Sequence, residues 1–208
     1  MQPETAVDLA LVLAVDCSSS VDAGDYRLQM DGVAAALRNP QLSAAIAAGV
    51  HRKIALTLVH WSSGRSQKVV MSWRMVATPA DLESAARDIE KIERKWLPGG
   101  TALAAGVNFS VALLETLPFV ASRRVIDVSG DGEDNDGGNA GLVRDVAVAR
   151  GITINGLPIL YGSNRIEAYY RAEVIGGPGA FLIPTATMQS FKEAMTRKLL
   201  REVSALTV

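Results

Sequence analysis

Residues 9–15 form an uninterrupted apolar run, Leu-Ala-Leu-Val-Leu-Ala-Val, which ends at Asp16. The run is too short and too uniformly apolar for an amphipathic helix, which would carry polar residues on one face. It is typical of a β-strand that is buried on both faces, and such strands occur in parallel sheets covered by helices. This segment therefore predicts an α/β architecture with helices on both sides of a sheet.

Strand-like and helix-like segments alternate along the rest of the chain. A helix is predicted over residues 22–37, and strands at residues 53–61 and 67–76 are close enough to form a hairpin. The remaining predictions are helices over 78–96, 102–117, 141–150, 165–175 and 188–206, and strands over 124–128, 153–161 and 181–183. This order predicts a three-layer α/β/α, doubly wound (Rossmann-like) fold with a six-stranded, mostly parallel sheet and one antiparallel edge strand.

The chain is expected to form a single domain over residues 1–208, with residues 1–6 as a polar lead-in. A chain of 208 residues is long enough for one well-filled core and short for two. The lead-in contains no basic segment, and no small-residue cleavage site follows the apolar run. We therefore expect no intact signal peptide in this chain.

Composition excludes several classes of partner. Lys and Arg total 21 and Asp and Glu total 22, so the formal net charge is −1 and no overall basic field would attract nucleic acid. The longest apolar run is far shorter than the roughly 20 residues that a transmembrane helix needs. The single cysteine, Cys17, excludes an internal disulfide and a multi-cysteine zinc site. We expect no nucleic-acid partner and no transmembrane span.

Polar residues cluster at what should be one edge of the predicted sheet. Asp16, Ser18 and Ser20 follow the first strand, Thr101 follows two glycines before a helix, and Asp131 follows the strand at residues 124–128. Ligand sites in open α/β sheets lie at the carboxyl ends of the strands. Hydroxyl and carboxylate oxygens suit a hard divalent cation such as Mg²⁺. The sequence therefore predicts a metal site that uses only oxygen ligands.

These five residues, in this order and at these positions, resemble the metal-ion-dependent adhesion site of von Willebrand factor A domains. The resemblance extends over nearly the whole chain. Segments 123–132 and 175–181 are further similar to an uncharacterised bacterial branch of that family, whose members are usually exported. The resemblance implies a von Willebrand factor A fold and a periplasmic or secreted location.

The resemblance also implies a role for each residue. Ser18 and Ser20 would bind Mg²⁺ directly, with Mn²⁺ or Ca²⁺ as other candidate ions. Thr101 would bind directly or through water, and Asp16 and Asp131 mainly through bound waters. A metal shell of hydroxyls and water retains enough Lewis acidity to seek an external anion. The expected function is metal-dependent binding of a protein partner that presents an Asp or Glu side chain, and the chain is expected not to be an enzyme.

A haloacid-dehalogenase-like phosphohydrolase is the alternative function. The apolar strand that ends in Asp16, together with Gly-Asp-Gly-Glu-Asp at residues 130–134, is similar to the nucleophile and magnesium motifs of that family. Those enzymes usually place a general acid two residues after the nucleophile, and this chain has Ser18 there. A serine cannot replace that acid, so binding is the favoured interpretation.

Three features leave structural interpretations open. Residues 18–20 taken alone could be a turn that caps the following helix. The acidic loop, defined as residues 133–138, could be a solvated loop or a second cation site, although it lacks the ligand spacing of an EF-hand. Asp127 interrupts an apolar strand, and a buried carboxylate at this position would need compensating donors.

Overall fold

The computed structural model describes residues 5–94 and 99–204, in which helices cover both faces of a five-stranded sheet. The strand order is β3-β2-β1-β4-β5. β3 pairs antiparallel with β2 at one edge, and all other pairings are parallel. The strands are β1 (Ala6–Asp16), β2 (Ile54–Trp61), β3 (Gln67–Val76), β4 (Val120–Gly130) and β5 (Ile152–Pro158). The predicted doubly wound fold with one antiparallel edge strand is confirmed.

Helices occupy the connections between the strands. They are α1 (Ala23–Leu37), α2 (Pro40–Ala47), α3 (Pro79–Glu90), α4 (Leu103–Glu115), α5 (Ala140–Ala149), α6 (Asn164–Tyr169) and α7 (Phe191–Ser204). A π-helical turn (Tyr170–Val174) continues α6, and a short 3₁₀ helix (Met188–Ser190) precedes α7. No described helix has the length and apolar character needed to cross a membrane.

One helix was missed in the sequence, and another was predicted to be too long. α2 was not predicted, because Asn39 and Pro40 mark the end of α1 and also begin the next helix. The Asn39 side chain accepts a hydrogen bond from the Gln41 N–H at 2.9 Å, and proline is favoured in the first turn. The predicted helix over 78–96 ends at Glu90, and Trp96 lies outside the described residues.

The predicted sixth strand, residues 181–183, is not a regular strand. The segment lies beside β5 and pairs with it through isolated bridges. The Ile183 N–H donates to the Gly156 carbonyl, and the Thr185 N–H donates to the Pro158 carbonyl, both at 3.0 Å. In a regular parallel ladder, the N–H of residue 158 would donate to the Ile183 carbonyl. Residue 158 is a proline and has no N–H, so the ladder is interrupted.

The central strand β1 has apolar side chains on both faces, as the sequence predicts. One face packs with α1, α3 and α7, and the other packs with α4 and α5. The helix that follows β1, α1, and the helix that follows β4, α5, lie on opposite faces of the sheet. The loops that follow these neighbouring strands therefore diverge, and a crevice opens between their carboxyl ends.

Asp127, which interrupts the apolar pattern of β4, meets a buried cation from α7. Lys198 Nζ lies 2.7 Å from Asp127 Oδ1 and 2.7 Å from Glu202 Oε1, and all three side chains are buried. Asn155 Nδ2 donates a further hydrogen bond to Glu202 Oε1 at 3.1 Å. Burial raises the pKa of the Asp127 carboxyl, while the Lys198 charge opposes that rise. This buried ion cluster (Asp127, Lys198 and Glu202) joins α7 to the sheet.

Candidate metal site

Asp16 ends the central strand and has no exposed surface. Its Oδ1 accepts a hydrogen bond from the Ser18 N–H at 2.7 Å. Its Oδ2 is buried and has no hydrogen-bond partner among the described residues. Burial raises the pKa of this carboxyl to about 7, although the hydrogen bonds from Ser18 act in the opposite direction. The site therefore contains a carboxylate oxygen that still needs a donor or a cation.

Two serine hydroxyls connect the loop after β1 to the loop after β4. The Oγ atoms of Ser18 and Ser20 are 3.2 Å apart, and Ser20 Oγ donates to Asp131 Oδ1 at 2.6 Å. Ser18 is buried and Ser20 is exposed, so the pair runs from the interior to the surface. Burial raises the pKa of Asp131, and the hydrogen bond from Ser20 opposes that rise. The Ser18–Ser20 pair is therefore part of a side-chain cluster and not only a turn.

Thr101 is buried in the loop before α4, and its backbone is held on both sides by Asn135. The Thr101 N–H donates to Asn135 Oδ1 at 2.8 Å, and the Asn135 N–H donates to the Thr101 carbonyl at 2.9 Å. A Cβ atom at Gly132 would lie only 3.3 Å from Thr101 Oγ1. A side chain at position 132 would therefore crowd the threonine hydroxyl next to Asp131.

The structure thus brings all five predicted residues to one edge of the sheet. Thr101, Ser20 and Asp131 line an open cavity of about 320 Å³. Asp16 and Ser18 are buried and are connected to Ser20 and Asp131 by the hydrogen bonds above. Every one of these side chains offers an oxygen atom, which matches the ligand preference of Mg²⁺. The described residues contain no group of three or more His, Cys, Asp or Glu side chains that could hold a metal ion.

The acidic loop has a structural role that was not predicted: its carboxylates accept hydrogen bonds from backbone N–H groups of other segments. Asp134 Oδ2 accepts a hydrogen bond from the Ala104 N–H at 2.7 Å, and Asp136 Oδ2 accepts one from the Gly64 N–H at 2.7 Å. Asp134 therefore caps α4, whose own N-cap residue, Ala102, makes no side-chain hydrogen bond. Together with Asn135, these side chains fix the position of Thr101. Short-range patterns could not identify this role, because the capping residue lies 30 positions after Ala104, whose N–H it accepts.

We expect Asp134→Ala to lower the free energy of unfolding by about 1–2 kcal/mol, because it removes the cap of α4. Denaturant unfolding followed by circular dichroism measures the change. Asp145→Ala is the matched control, because Asp145 is exposed and pairs only with its neighbour Arg144. That control should change the stability by less than about 0.5 kcal/mol. Equal stability of the two variants would contradict the capping role.

Two further carboxylates, Asp25 and Glu133, follow the same two strand ends in the chain. Tyr161 donates a hydrogen bond to Asp25 Oδ2 at 2.6 Å, and the Arg165 guanidinium holds Glu133 with hydrogen bonds of 2.6 and 2.8 Å. The Asp25 charge contributes to the raised pKa of Asp131. Arg165 neutralises Glu133, so the negative charge at this edge comes from Asp25 together with Asp16 and Asp131, and it would favour a cation.

Comparison with protein families gives one match, which covers nearly the whole chain. The model of the family described as "Protein of unknown function (DUF1194)" matches residues 6–207. No curated protein sequence matches the chain.

Solved structures with the same fold include several von Willebrand factor A proteins. Proximal thread matrix protein 1 from the mussel byssus, with a zinc-occupied MIDAS motif, has a TM-score of 0.67 at 15% identity, covering 96% of this chain and 47% of that one. The von Willebrand factor type A protein from Catenulispora acidiphila has a TM-score of 0.64 at 13% identity, with coverages of 97% and 43%. BatB from Bacteroides thetaiotaomicron has a TM-score of 0.61 at 18% identity, with coverages of 95% and 99%.

These similarities establish the von Willebrand factor A fold, which the sequence predicted. The chain spans less than half the length of the mussel and Catenulispora proteins. The structures reported above are named as matrix, von Willebrand factor or Bat proteins, and none of these names denotes an enzyme.

Proposed function

This chain belongs to the protein family of unknown function DUF1194, and on that premise we propose that it is a divalent-metal-dependent protein-binding module. One observation carries the proposal. Asp16, Ser18, Ser20 and Asp131 are connected by hydrogen bonds at the carboxyl edge of the sheet, around a cavity that Thr101 also lines. The cluster joins two strand ends and a third loop, as expected for a site that binds a ligand at this edge.

The residues present fit a hard divalent cation. We propose that the hydroxyls of Ser18, Ser20 and Thr101 are direct or water-bridged ligands, and that Asp16 and Asp131 act mainly through water. The unpartnered Oδ2 of Asp16 supports this assignment, because a buried carboxylate oxygen needs a partner. Mg²⁺ or Mn²⁺ is the expected ion, since all the candidate donors are oxygen atoms. Zinc occupies the corresponding motif of the mussel protein.

A carboxylate on a partner protein is the proposed ligand of the loaded site. When bound, the metal would supply a Lewis-acidic centre with a coordination position open to an external anion. The carboxylates at this edge, which include Asp25 and Asp131, would repel an acidic partner from the metal-free site. Binding of the partner should therefore depend strongly on the metal.

The phosphohydrolase alternative is not supported by the geometry. A nucleophilic aspartate must reach the phosphorus atom of its substrate, but Asp16 has no exposed surface. Ser18 stands where the general acid would be required, and its Oγ lies beside Ser20 Oγ at 3.2 Å.

We further propose that the protein acts outside the cytoplasm. The resemblance to an exported bacterial branch supports this, as do similar structures named as an aerotolerance-related membrane protein and a pilus adhesin. Fusion of the full gene to alkaline phosphatase, which is active only after export, tests this location.

The binding proposal is tested by retention of partners on the immobilised protein. We expect proteins from a cell extract to be retained with Mg²⁺, released by EDTA, and retained at least about tenfold less by Thr101→Ala, which removes one hydroxyl ligand. Thr116→Ala is the matched control, because Thr116 is an exposed threonine at the far end of α4. Replacement of acidic residues on a retained partner should then abolish its binding. Equal retention in EDTA would show that recognition uses another surface.

A further inference from the structure

Tyr170 is a fully buried tyrosine whose hydroxyl has no hydrogen-bond partner among the described residues. It begins the π-helical turn that continues α6, and such turns are frequent at functional sites. Buried tyrosine hydroxyls usually have a partner, and an unpaired one costs free energy. The position of this hydroxyl therefore requires an explanation.

Two glycines on neighbouring strands make room for the Tyr170 ring. A Cβ atom at Gly156 of β5 would lie 2.8 Å from Cδ1 of Tyr170, and one at Gly130 of β4 would lie 2.9 Å from its hydroxyl oxygen. Real Cβ atoms do not approach other atoms so closely, so any larger residue would displace the ring. The ring therefore crosses from β5 to the end of β4, and its hydroxyl reaches the carboxyl edge of the sheet.

The unpartnered oxygen of Asp16 lies over the same glycine. Asp16 Oδ2 is 2.9 Å from the Cβ position of Gly130, the same distance as the Tyr170 hydroxyl. The two unsatisfied groups are complementary, because a phenol can donate and a carboxylate oxygen can only accept. A tyrosine phenol carries its proton at neutral pH, so the Tyr170 hydroxyl can act as the donor.

We propose that Tyr170 is a positioning residue for the metal site: its hydroxyl holds Asp16 Oδ2 through one shared water molecule over Gly130, and the second lone pair of that oxygen stays available to the water shell of the metal. Because the Ser18 N–H already holds Oδ1, this second contact would fix both oxygens of the carboxylate. Hydrogen-bonding partners of this kind orient metal-binding side chains and tune their affinity. The inference rests on the proposed function, since it assigns a residue that prepares the same site.

The test compares Mn²⁺ binding by Tyr170→Phe and by the parent chain in isothermal titration calorimetry. The substitution removes only the hydroxyl, so we expect roughly tenfold weaker Mn²⁺ binding. The melting temperature in EDTA should change little, because the water can stay on Asp16 Oδ2 and no hydrogen bond between two protein groups is lost. Tyr26→Phe is the matched control, since the Tyr26 hydroxyl donates to the Ile92 carbonyl at 3.0 Å. It should lower the melting temperature in EDTA and leave Mn²⁺ affinity unchanged.

The outcomes separate this inference from the proposed function. If the parent chain binds Mn²⁺ and Tyr170→Phe binds it equally well, Tyr170 does not position the site, while the metal-binding proposal stands. If Tyr170→Phe loses as much stability in EDTA as Tyr26→Phe does, its role is structural and the inference is overturned. A parent chain that binds neither Mn²⁺ nor Mg²⁺ would overturn the proposed function and this inference with it.

Discussion

Replacement of Lys198 by alanine is expected to lower the free energy of unfolding by about 3–5 kcal/mol. Lys198 Nζ lies 2.7 Å from both Asp127 Oδ1 and Glu202 Oε1, and none of the three side chains is more than 1% exposed. Without the ammonium group, two carboxyl groups would remain buried with no cation between them. Removing one partner of a buried ionic cluster is therefore far more costly than losing a surface ion pair. Urea unfolding measures the change.

Two further variants serve as controls for Lys198→Ala. Lys192→Ala removes an exposed lysine from the same helix and should change the stability by less than about 0.5 kcal/mol. The triple variant Asp127→Asn, Lys198→Met, Glu202→Gln removes all the buried charges and should recover most of the lost stability. A Lys198→Ala protein that loses less than about 1 kcal/mol would show that the buried charges do not depend on this lysine.

Asp16→Asn and Asp131→Ala are each expected to abolish the stabilisation of the protein by Mg²⁺. A ligand that binds only the folded state at 100 times its dissociation constant raises the free energy of unfolding by about 2.7 kcal/mol. The parent chain should show this increase as a higher melting temperature with Mg²⁺ than with EDTA. Both variants should melt at the same temperature in either solution, because each has lost a charged group that would face the ion.

The metal-free stability of Asp16→Asn provides a second readout. Burial raises the pKa of Asp16 to about 7, so the folded protein above that pH holds a desolvated carboxylate. The asparagine is nearly isosteric and neutral, and we expect it to raise the melting temperature in EDTA at pH 8. Asp31→Asn is the control, because it removes an exposed carboxylate of α1 that pairs only with Arg27. Parent-like Mg²⁺ affinity in both Asp16→Asn and Asp131→Ala would show that the site is misplaced.

Local patterns predicted the features of this fold that depend on short stretches of sequence. The apolar run of β1 and the alternation that follows it establish the layers, because burial on both faces demands apolar residues at every position. The five candidate ligands could be placed because the carboxyl ends of parallel strands meet at one edge. Ser18 and Ser20 also stand two positions apart in one loop, where their hydroxyls can approach each other.

Features that depend on distant contacts could not be predicted. Lys198 and Glu202 stand four residues apart on a helix, a spacing typical of an exposed ion pair, and the structure buries both of them. Tyr170 lies in a predicted helix over residues 165–175, and that helix does not reveal that glycines of two strands, Gly130 and Gly156, make room for its ring. The interruption of the sixth strand depends on Pro158 of its neighbour, which the sequence of residues 181–183 does not reveal.

The hydrogen bond between Ser20 and Asp131 joins residues that are 111 positions apart. This hydrogen bond joins the loops that follow β1 and β4, which are neighbouring strands in the middle of the sheet. Closing so long a loop is entropically costly, and contacts of high sequence separation slow the folding of a domain. An N-terminal fragment that stops before β4 would contain four of the five candidate ligands and still lack Asp131, and with it the complete site. The site therefore exists only where β4 has paired with β1, and its occupation would distinguish chains that have made this pairing from those that have not.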